Sequence, residues 1–170
     1  MKTKQSLPLG ILFYLLFIFS CQKTDTIQNN NNGGSTSTVL NKTLLLQLVN
    51  ETRQKGCNCG STYYPPVATV SWDGQLETAA ITHADDINKN NYFSHTALDG
   101  SSPGDRIRRT GYSWSAYGEN IAKGFTIEQA VMDAWIQSEE HCVNIMNSRF
   151  KDFGAAKVGS YWVQEFGARF

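Results

Sequence analysis

Three polar residues are the strongest candidates for chemistry in this sequence: His95, Glu119 and His141. His95 stands between a serine and a threonine, Glu119 follows a glycine, and His141 follows two glutamates. Two neutral imidazoles and one carboxylate can bind Zn²⁺ or another divalent metal and leave a fourth position open for water. The three residues are far apart in the sequence and form no H-E-x-x-H motif, so their spacing alone does not specify a shared site.

The third histidine has a different setting. His83 falls on an apolar stripe of helical period that includes Ala80 and Ile87. A single histidine on such a stripe is typical of a packed and hydrogen-bonded core residue. We therefore predict a structural role for His83.

The charged residues exclude some classes of partner. The chain has 15 lysine and arginine residues and 15 aspartate and glutamate residues, so no basic excess indicates nucleic-acid binding. One basic cluster is present, and we interpret it as a solvated helix face. It consists of Arg106, Arg108 and Arg109.

The N-terminus has the features of an export signal. Lys2 and Lys4 precede an almost wholly apolar run over residues 7–20, which is shorter than the roughly 20 residues that cross a bilayer. The run ends with Ser20-Cys21, which resembles a bacterial lipoprotein cleavage site. We predict that residues 1–20 are a signal peptide and that Cys21 carries a lipid. Simple secretion and an uncleaved membrane anchor are the alternatives.

The segment after Cys21 is polar and of low complexity. Residues 22–38 contain one apolar residue, Ile27, and are rich in asparagine, serine and threonine. Such a segment cannot bury enough apolar surface to offset the entropy of ordering. We predict a lipidated cysteine and flexible linker over residues 21–38 and one folded domain over residues 39–170. We therefore expect the protein in the cell envelope, where a lipid anchors it to a bacterial membrane, or secreted.

Three cysteines remain in the predicted domain: Cys57, Cys59 and Cys142. Outside the cytoplasm a disulfide is favoured, and a Cys57–Cys59 bridge would close a very small ring. We therefore expect Cys142 to pair with either Cys57 or Cys59, which leaves one thiol unpaired. A zinc site that uses Cys57 and Cys59 is the weaker alternative, because C-x-C alone is a weak signal.

The hydrophobic periodicity predicts an α+β domain with a small, mainly antiparallel sheet between helices. Helices are predicted over residues 40–55, from Asp73 and from Pro103 to about Thr110. A further helix is predicted from Thr126, opened by a capping box with Gln129. Loops are predicted over residues 56–70 and 91–102, and a loop with a short strand over 112–123. A terminal hairpin joins strands over 153–158 and 161–167.

Several motifs occur in order between about residue 40 and the C-terminus. They are Leu48-Val49-Asn50-x-x-Arg53, Leu76-x-x-Ala79-Ala80-x-x-His83, Phe93-Ser94-His95, Gly118-Glu119-Asn120-Ile121, Ser138-x-x-His141-x-x-Asn144-Ile145-Met146-Asn147 and Tyr161-Trp162-x-Gln164-x-Phe166-Gly167. With these motifs the chain resembles the CAP superfamily (cysteine-rich secretory proteins, antigen 5 and pathogenesis-related proteins; SCP domain). It is most similar to the bacterial branch.

The resemblance implies an α–β–α sandwich with a central cleft that holds two histidines and two acidic residues. His95, Glu119 and His141 match three of these positions. The family's second glutamate corresponds to Ser138, so one ligand or acid–base group is missing here. Glu139 and Glu140 are not substitutes, because a shift of one residue on a helix rotates a side chain by about 100°.

Three functions are compatible with these observations. The first is a binding module whose cleft takes a lipid, peptide, polysaccharide or protein, with Zn²⁺ or another divalent metal bound; the resemblance favours it. The second is a zinc-dependent hydrolase in which His95 and His141 bind the metal and Glu119 acts as ligand or general base. The third is a structural envelope protein with a vestigial cleft. The sequence does not fix the ligand or the oligomeric state.

Overall fold

A computed structural model describes residues 40–170 of the chain. The predicted signal peptide, Cys21 and the linker to residue 38 lie outside the described residues. Within residues 40–170, no helix has both the length and the apolar character needed to cross a membrane.

The described region contains five helices and six strands. In chain order they are α1 (Lys42–Lys55), β1 (Cys57–Cys59), β2 (Thr62–Tyr64), β3 (Ser71–Trp72), α2 (Gly74–Asn90), α3 (Pro103–Arg109), β4 (Trp114–Lys123), α4 (Glu128–Gln137), α5 (Glu139–Ile145), β5 (Asp152–Val158) and β6 (Tyr161–Arg169).

Four strands form the central sheet in the order β3–β5–β6–β4. The β4–β6 and β5–β6 pairs are antiparallel and β3 runs parallel to β5. Strands β1 and β2 form a separate antiparallel hairpin. The predicted α+β class with a mainly antiparallel sheet is therefore confirmed.

Helices cover both faces of the sheet. Apolar residues of α1, α4 and α5 pack on one face, around the fully buried Trp135 and Trp162. Alanines and Ile87 of α2 pack on the other face against β5 and β6. At Gly154 the backbone of α2 comes so close that a Cβ atom would lie 2.2 Å from the backbone nitrogen of Glu77. This close approach explains why a glycine stands there.

Side-chain caps fix the start of the three N-terminal helices. Asn41 caps α1 and Asp73 caps α2 by accepting backbone N–H groups of the first turn. Ser102 and Asp105 form a reciprocal capping box at α3, with Pro103 in the first turn. These observations confirm the predicted helix starts at Asp73 and Pro103.

Other predicted boundaries were wrong. Helix α4 begins at Glu128, and no capping box forms at Thr126. The chain stays extended through Ile127, and the buried Glu128 carboxylate accepts the backbone N–H of Asn41 at 2.7 Å, which ties the helix start to α1. Strand β4 is ten residues long rather than short, because it pairs along nearly its whole length with β6.

Two further segments differ from prediction. The loop expected over residues 56–70 contains the β1–β2 hairpin. His141 lies on a different helix from the one that the sequence predicts from Thr126. The chain breaks at Ser138, which adopts an extended conformation (φ −93°, ψ 119°), and His141 lies inside the short helix α5.

The predicted disulfide of Cys142 is confirmed, and the cysteine that pairs with Cys142 is Cys59. Cys59 and Cys142 are bonded, while Cys57 is free. The bond uses the Cys59 sulfur that the alternative zinc site at Cys57 and Cys59 would need as a thiolate. The disulfide also links the β1–β2 hairpin to α5.

Candidate functional site

Glu119 is the centre of the candidate site. It lies in the middle of β4, at the edge of the central sheet, and its side chain is almost completely buried. Buried carboxylates are stable only when charged or hydrogen-bonding partners surround them. The contacts of Glu119 therefore define the site.

Both carboxylate oxygens of Glu119 are engaged by cationic or donor groups. His95 Nδ1 lies 2.6 Å from Oε1, and Arg106 Nη2 lies 2.6 Å from Oε2. Burial favours a higher pKa for Glu119, but the hydrogen bond with His95 and the charge of Arg106 outweigh it. The pKa of Glu119 is lowered as a result, so this residue is a carboxylate at neutral pH.

Arg106 corrects the interpretation of the arginine cluster. Arg108 and Arg109 are exposed as expected, but Arg106 is only 4% exposed. Its guanidinium also donates to the carbonyl oxygens of His95 and Ser101 at 3.0 and 3.1 Å. Arg106 thus holds the His95 loop against β4 while it neutralises Glu119. The sequence pattern of three arginines in four residues does not show which of them contacts the buried Glu119 on β4.

Glu165 is a site residue that the sequence analysis missed. It is the pairing partner of Glu119 across β4 and β6 and is fully buried. Burial and the neighbouring charge of Glu119 raise the pKa of Glu165 well above its ordinary value. The neutral, protonated form of Glu165 is therefore favoured, and neither of its carboxyl oxygens has a hydrogen-bond partner among residues 40–170. The available signal was an acidic residue in the middle of a mostly apolar terminal strand.

His83 supports the loop that carries His95. Its ring is buried in α2, and Nε2 lies 2.9 Å from the carbonyl oxygen of Ser94 and 4.0 Å from Glu119 Oε1. Burial lowers the pKa of His83, although the charge of Glu119 acts in the opposite direction. The predicted structural role agrees with these contacts.

His141 approaches the site from the other side of β4. The backbone carbonyl of His141 accepts a hydrogen bond from Asn120 Nδ2 at 3.1 Å. Asn144 Nδ2 in turn donates to the Asn120 side chain and to the Glu119 carbonyl. These amides fix α5 beside β4. Because β4 is an edge strand, α5 and the His95 loop can approach each other around it.

The ring of His141 is half-buried and lies close enough to His95 for their charges to interact. Burial and the charge of a protonated His95 both lower the pKa of His141, so the neutral imidazole is favoured. Neither ring nitrogen of His141 has a hydrogen-bond partner within residues 40–170. Neutral imidazole is the form that binds metal ions.

The predicted residues are not all in mutual contact. His95 and Glu119 are hydrogen-bonded, whereas His141 contributes no ligand atom within 4.8 Å of both. Across the described part of the chain, only the sulfurs of Cys57, Cys59 and Cys142 form a three-ligand group that compact. Ser138 lies at the start of α5, and its side chain makes no cap hydrogen bond there.

Glu119 and His95 differ in how available they are to a ligand. Glu119 is an acceptor whose two oxygens are both occupied, so little of its basicity is available to a substrate. His95 faces solvent with its side chain 52% exposed. With Nδ1 directed at Glu119, its Nε2 is the nitrogen left for a ligand.

Comparison with known proteins agrees with this fold. The model of the cysteine-rich secretory protein family (CAP) matches residues 46–166. "Uncharacterized protein YkwD" of Bacillus subtilis (strain 168) is 38% identical over 96 residues, which is 55% of this chain and 37% of that protein. The chain thus spans less than half the length of this relative.

Two solved structures are similar. An extracellular protein containing an SCP domain from Bacillus anthracis str. Ames shares 28% identity, with a TM-score of 0.65 over 75% of this chain and 40% of that one. An outer surface protein from Borrelia burgdorferi shares the fold, with 24% identity and a TM-score of 0.67 over 79% of this chain and 98% of that one. Because the family model matches most of the chain, the protein belongs to the cysteine-rich secretory protein (CAP) family.

Proposed function

We propose that this protein is an exported, lipid-tethered binding module whose cleft holds a divalent metal ion, such as Zn²⁺, on His95 and His141. The observation that carries the proposal is the double engagement of Glu119 by His95 and Arg106. Glu119 orients the His95 ring and directs its Nε2 away from the sheet.

The donor set fits a metal held by two histidines rather than by the full predicted trio. A carboxylate that accepts from the second ring nitrogen of a histidine ligand is a common arrangement in metal sites, because it fixes the tautomer and the ring orientation. Glu119 has that position toward His95. Direct ligation by Glu119 would have to compete with Arg106, whose positive charge is buried beside it.

The lowered pKa of His141 supports the same role. Metal binding competes with protonation of the imidazole, so a histidine whose pKa is lowered is a better ligand. A metal bound by two imidazoles would keep open positions that can accept an oxygen or nitrogen atom of a ligand.

Binding is favoured over hydrolysis for two reasons. A hydrolase needs a general base with a free lone pair near the reacting water, and both Glu119 oxygens are already occupied. The family's second acidic position is Ser138 in this chain, so no second carboxylate stands there to transfer protons. We therefore expect ligand capture without turnover.

The ligand of the cleft would be a lipid, peptide, polysaccharide or protein of the cell exterior. The related Bacillus anthracis protein is described as extracellular, and the export signal predicted for residues 1–20 agrees with that location. The lipid on Cys21 would hold the domain at a bacterial membrane, with residues 22–38 as the tether.

Calorimetric titration of Zn²⁺ tests the proposal. A soluble form over residues 22–170 keeps the whole described domain and removes Cys21. Cys57→Ser in every sample prevents zinc binding by the free thiol. We expect micromolar or tighter binding that is lost in the His95→Ala/His141→Ala double variant. Absence of binding, or binding unchanged in the double variant, would contradict a metal site in this cleft.

A further inference from the structure

The three cysteines of the domain form a single sulfur cluster. Cys59 and Cys142 are joined by the disulfide, and the Cys57 sulfur lies 3.5 Å from Cys142 Sγ and 4.0 Å from Cys59 Sγ. A free thiol therefore lies in van der Waals contact with both sulfurs of a disulfide, and these are the reactants of thiol–disulfide exchange.

The local structure allows either cysteine of β1 to pair with Cys142. Cys57 and Cys59 are two residues apart on one strand, so both side chains point to the same face. That face is directed at α5, where Cys142 lies fully buried. Exchange of partners would therefore leave α5 and the hairpin linked.

Access to the cluster differs among the three sulfurs. Cys59 and Cys142 are 0% exposed, whereas Cys57 is half-buried and lines a cavity of about 400 Å³. The cavity lies between α1 and α4, and Thr52 and Met132 are among the residues in its wall. A thiol or disulfide compound from solvent can thus reach the cluster by way of Cys57.

We propose that Cys57, Cys59 and Cys142 form a thiol–disulfide exchange site in which the disulfide moves between two pairings. Cys57 loses its proton to solvent and its thiolate attacks Cys142 Sγ. The Cys57–Cys142 bond forms, the Cys59–Cys142 bond breaks, and Cys59 leaves as a thiolate that takes up a proton. The step needs no oxidant or reductant, because one disulfide and one thiol are present before and after it.

The hairpin must shift for this attack. Cys57 lies at similar distances from both bonded sulfurs, and therefore beside the bond, whereas displacement requires approach along the bond axis. Strand β1 has three residues and, among the strands of residues 40–170, pairs only with β2. Gly56 and Gly60 flank it with φ of +72° and +59°, so its ends have the backbone freedom that such a shift needs.

The exchange determines which small molecules the site reacts with. In the Cys59–Cys142 form the disulfide is buried and the accessible thiol is Cys57. In the Cys57–Cys142 form the accessible sulfur belongs to the disulfide. A low-molecular-weight thiol entering the cavity can then attack Cys57 Sγ, form a mixed disulfide and release the Cys142 thiolate. Thiols and dithiols are the class of reactant that this site accepts.

The first test maps the pairing in the soluble form over residues 22–170. Burial raises the pKa of the Cys57 thiol, so incubation at pH 8.5 increases the thiolate that exchanges. Free thiols are then alkylated with iodoacetamide, and peptides are sequenced by mass spectrometry without reduction. Fragmentation at Asn58 separates Cys57 from Cys59. We expect alkylation at both residues and crosslinks of each to Cys142.

Two variants test the pairing in a way that does not depend on how completely iodoacetamide alkylates the free thiols. Cys59→Ser should form the Cys57–Cys142 disulfide and show no free thiol in the denatured, unreduced protein. Cys57→Ser should show only the Cys59–Cys142 crosslink and likewise no free thiol. Circular dichroism reports whether each variant is folded.

The outcomes separate the proposal from a passive free cysteine. A folded Cys59→Ser protein with two free thiols would overturn it. Alkylation of Cys57 alone in the unsubstituted protein, with the Cys59–Cys142 crosslink as the sole product after hours at pH 8.5, would overturn it as well. The second result stands even if Cys59→Ser fails to fold.

Discussion

Glu119 and Glu165 lie directly opposite each other on β4 and β6, and one of the two carboxyl groups keeps its proton. Arg106 and His95 both contact Glu119, so the negative charge resides there. Within the described part of the chain, Glu165 has no cation beside its carboxyl group, and its neutral form is favoured. Opposite shifts of the two pKa values are the expected result when two carboxyl groups lie close together in a buried site.

The raised pKa of Glu165 predicts a pH-dependent cost to stability. Below the ordinary glutamate pKa, both the folded and the unfolded chain hold this proton. As the pH rises toward the folded-state pKa, only the unfolded chain releases it, so the free energy of unfolding falls by up to about 1.4 kcal/mol per pH unit.

Glu165→Gln removes this titration and keeps the size and the neutral polar character of the protonated side chain. Urea unfolding at pH 4 to 8 should show a stability advantage of the variant that grows as the pH rises. Glu140→Gln, at an exposed position of α5, is the matched control and should stay within about 0.5 kcal/mol of the unsubstituted protein. A Glu165→Gln difference that is constant with pH would contradict the raised pKa of Glu165.

Arg106 should be far more important to stability than its neighbours in the arginine cluster. Arg106→Met keeps most of the side-chain volume but leaves Glu119 without its buried counter-charge. We expect a loss of roughly 3–5 kcal/mol in the free energy of unfolding, as for other broken buried ion pairs. Arg109→Met removes an exposed ion pair with Asp99 and should cost about 0–1 kcal/mol. Similar losses in both variants would refute the distinction.

Arg53 is a second buried arginine that we expect to contribute more to stability than an exposed one. It is fully buried in α1 and donates to four backbone carbonyls: those of Ala68, Ile145, Asn147 and Phe150. Burial lowers its pKa to about 10, so it remains charged at neutral pH. A lysine cannot reproduce this set of planar donors.

Thermal and chemical unfolding of Arg53→Lys should show a loss of roughly 2–4 kcal/mol, because buried carbonyl groups lose charged donors. Arg149→Lys, which replaces an exposed arginine, is the matched control and should change stability by about 0.5 kcal/mol or less. An Arg53→Lys protein as stable as the control would show that these carbonyls find other partners.

The sequence predicted the elements whose signals are local. Asp73 and Ser102 are strong helix caps. The alternation of apolar and polar residues around Gly159-Ser160 indicates a hairpin without information about the helices that pack on it. The start of α4 was missed because it depends on contact between Glu128 and Asn41, which are remote in sequence. This tertiary contact, rather than the local capping propensity of Thr126, determines where α4 begins.

The candidate site was predicted only in part for the same reason. His95 and Glu119 were identified, and they are in contact. Arg106 was assigned to the surface, because its burial depends on the packing of α3 against Glu119 of β4. Glu165 was overlooked. Pairing of Glu119 with Glu165 is set by the β4–β6 register, which no short motif encodes. The metal and the lipid on Cys21 stay predictions.

The most direct test of the central claim is an NMR titration of the histidine ring nitrogens with Zn²⁺. The chain has three histidines, so the spectrum is simple, and His83 serves as an internal control. We predict that His95 carries its proton on Nδ1, and that Zn²⁺ shifts His95 Nε2 and one ring nitrogen of His141 while His83 is unchanged. A proton on His95 Nε2 in the metal-free protein, or ring signals that do not respond to Zn²⁺, would contradict the claim.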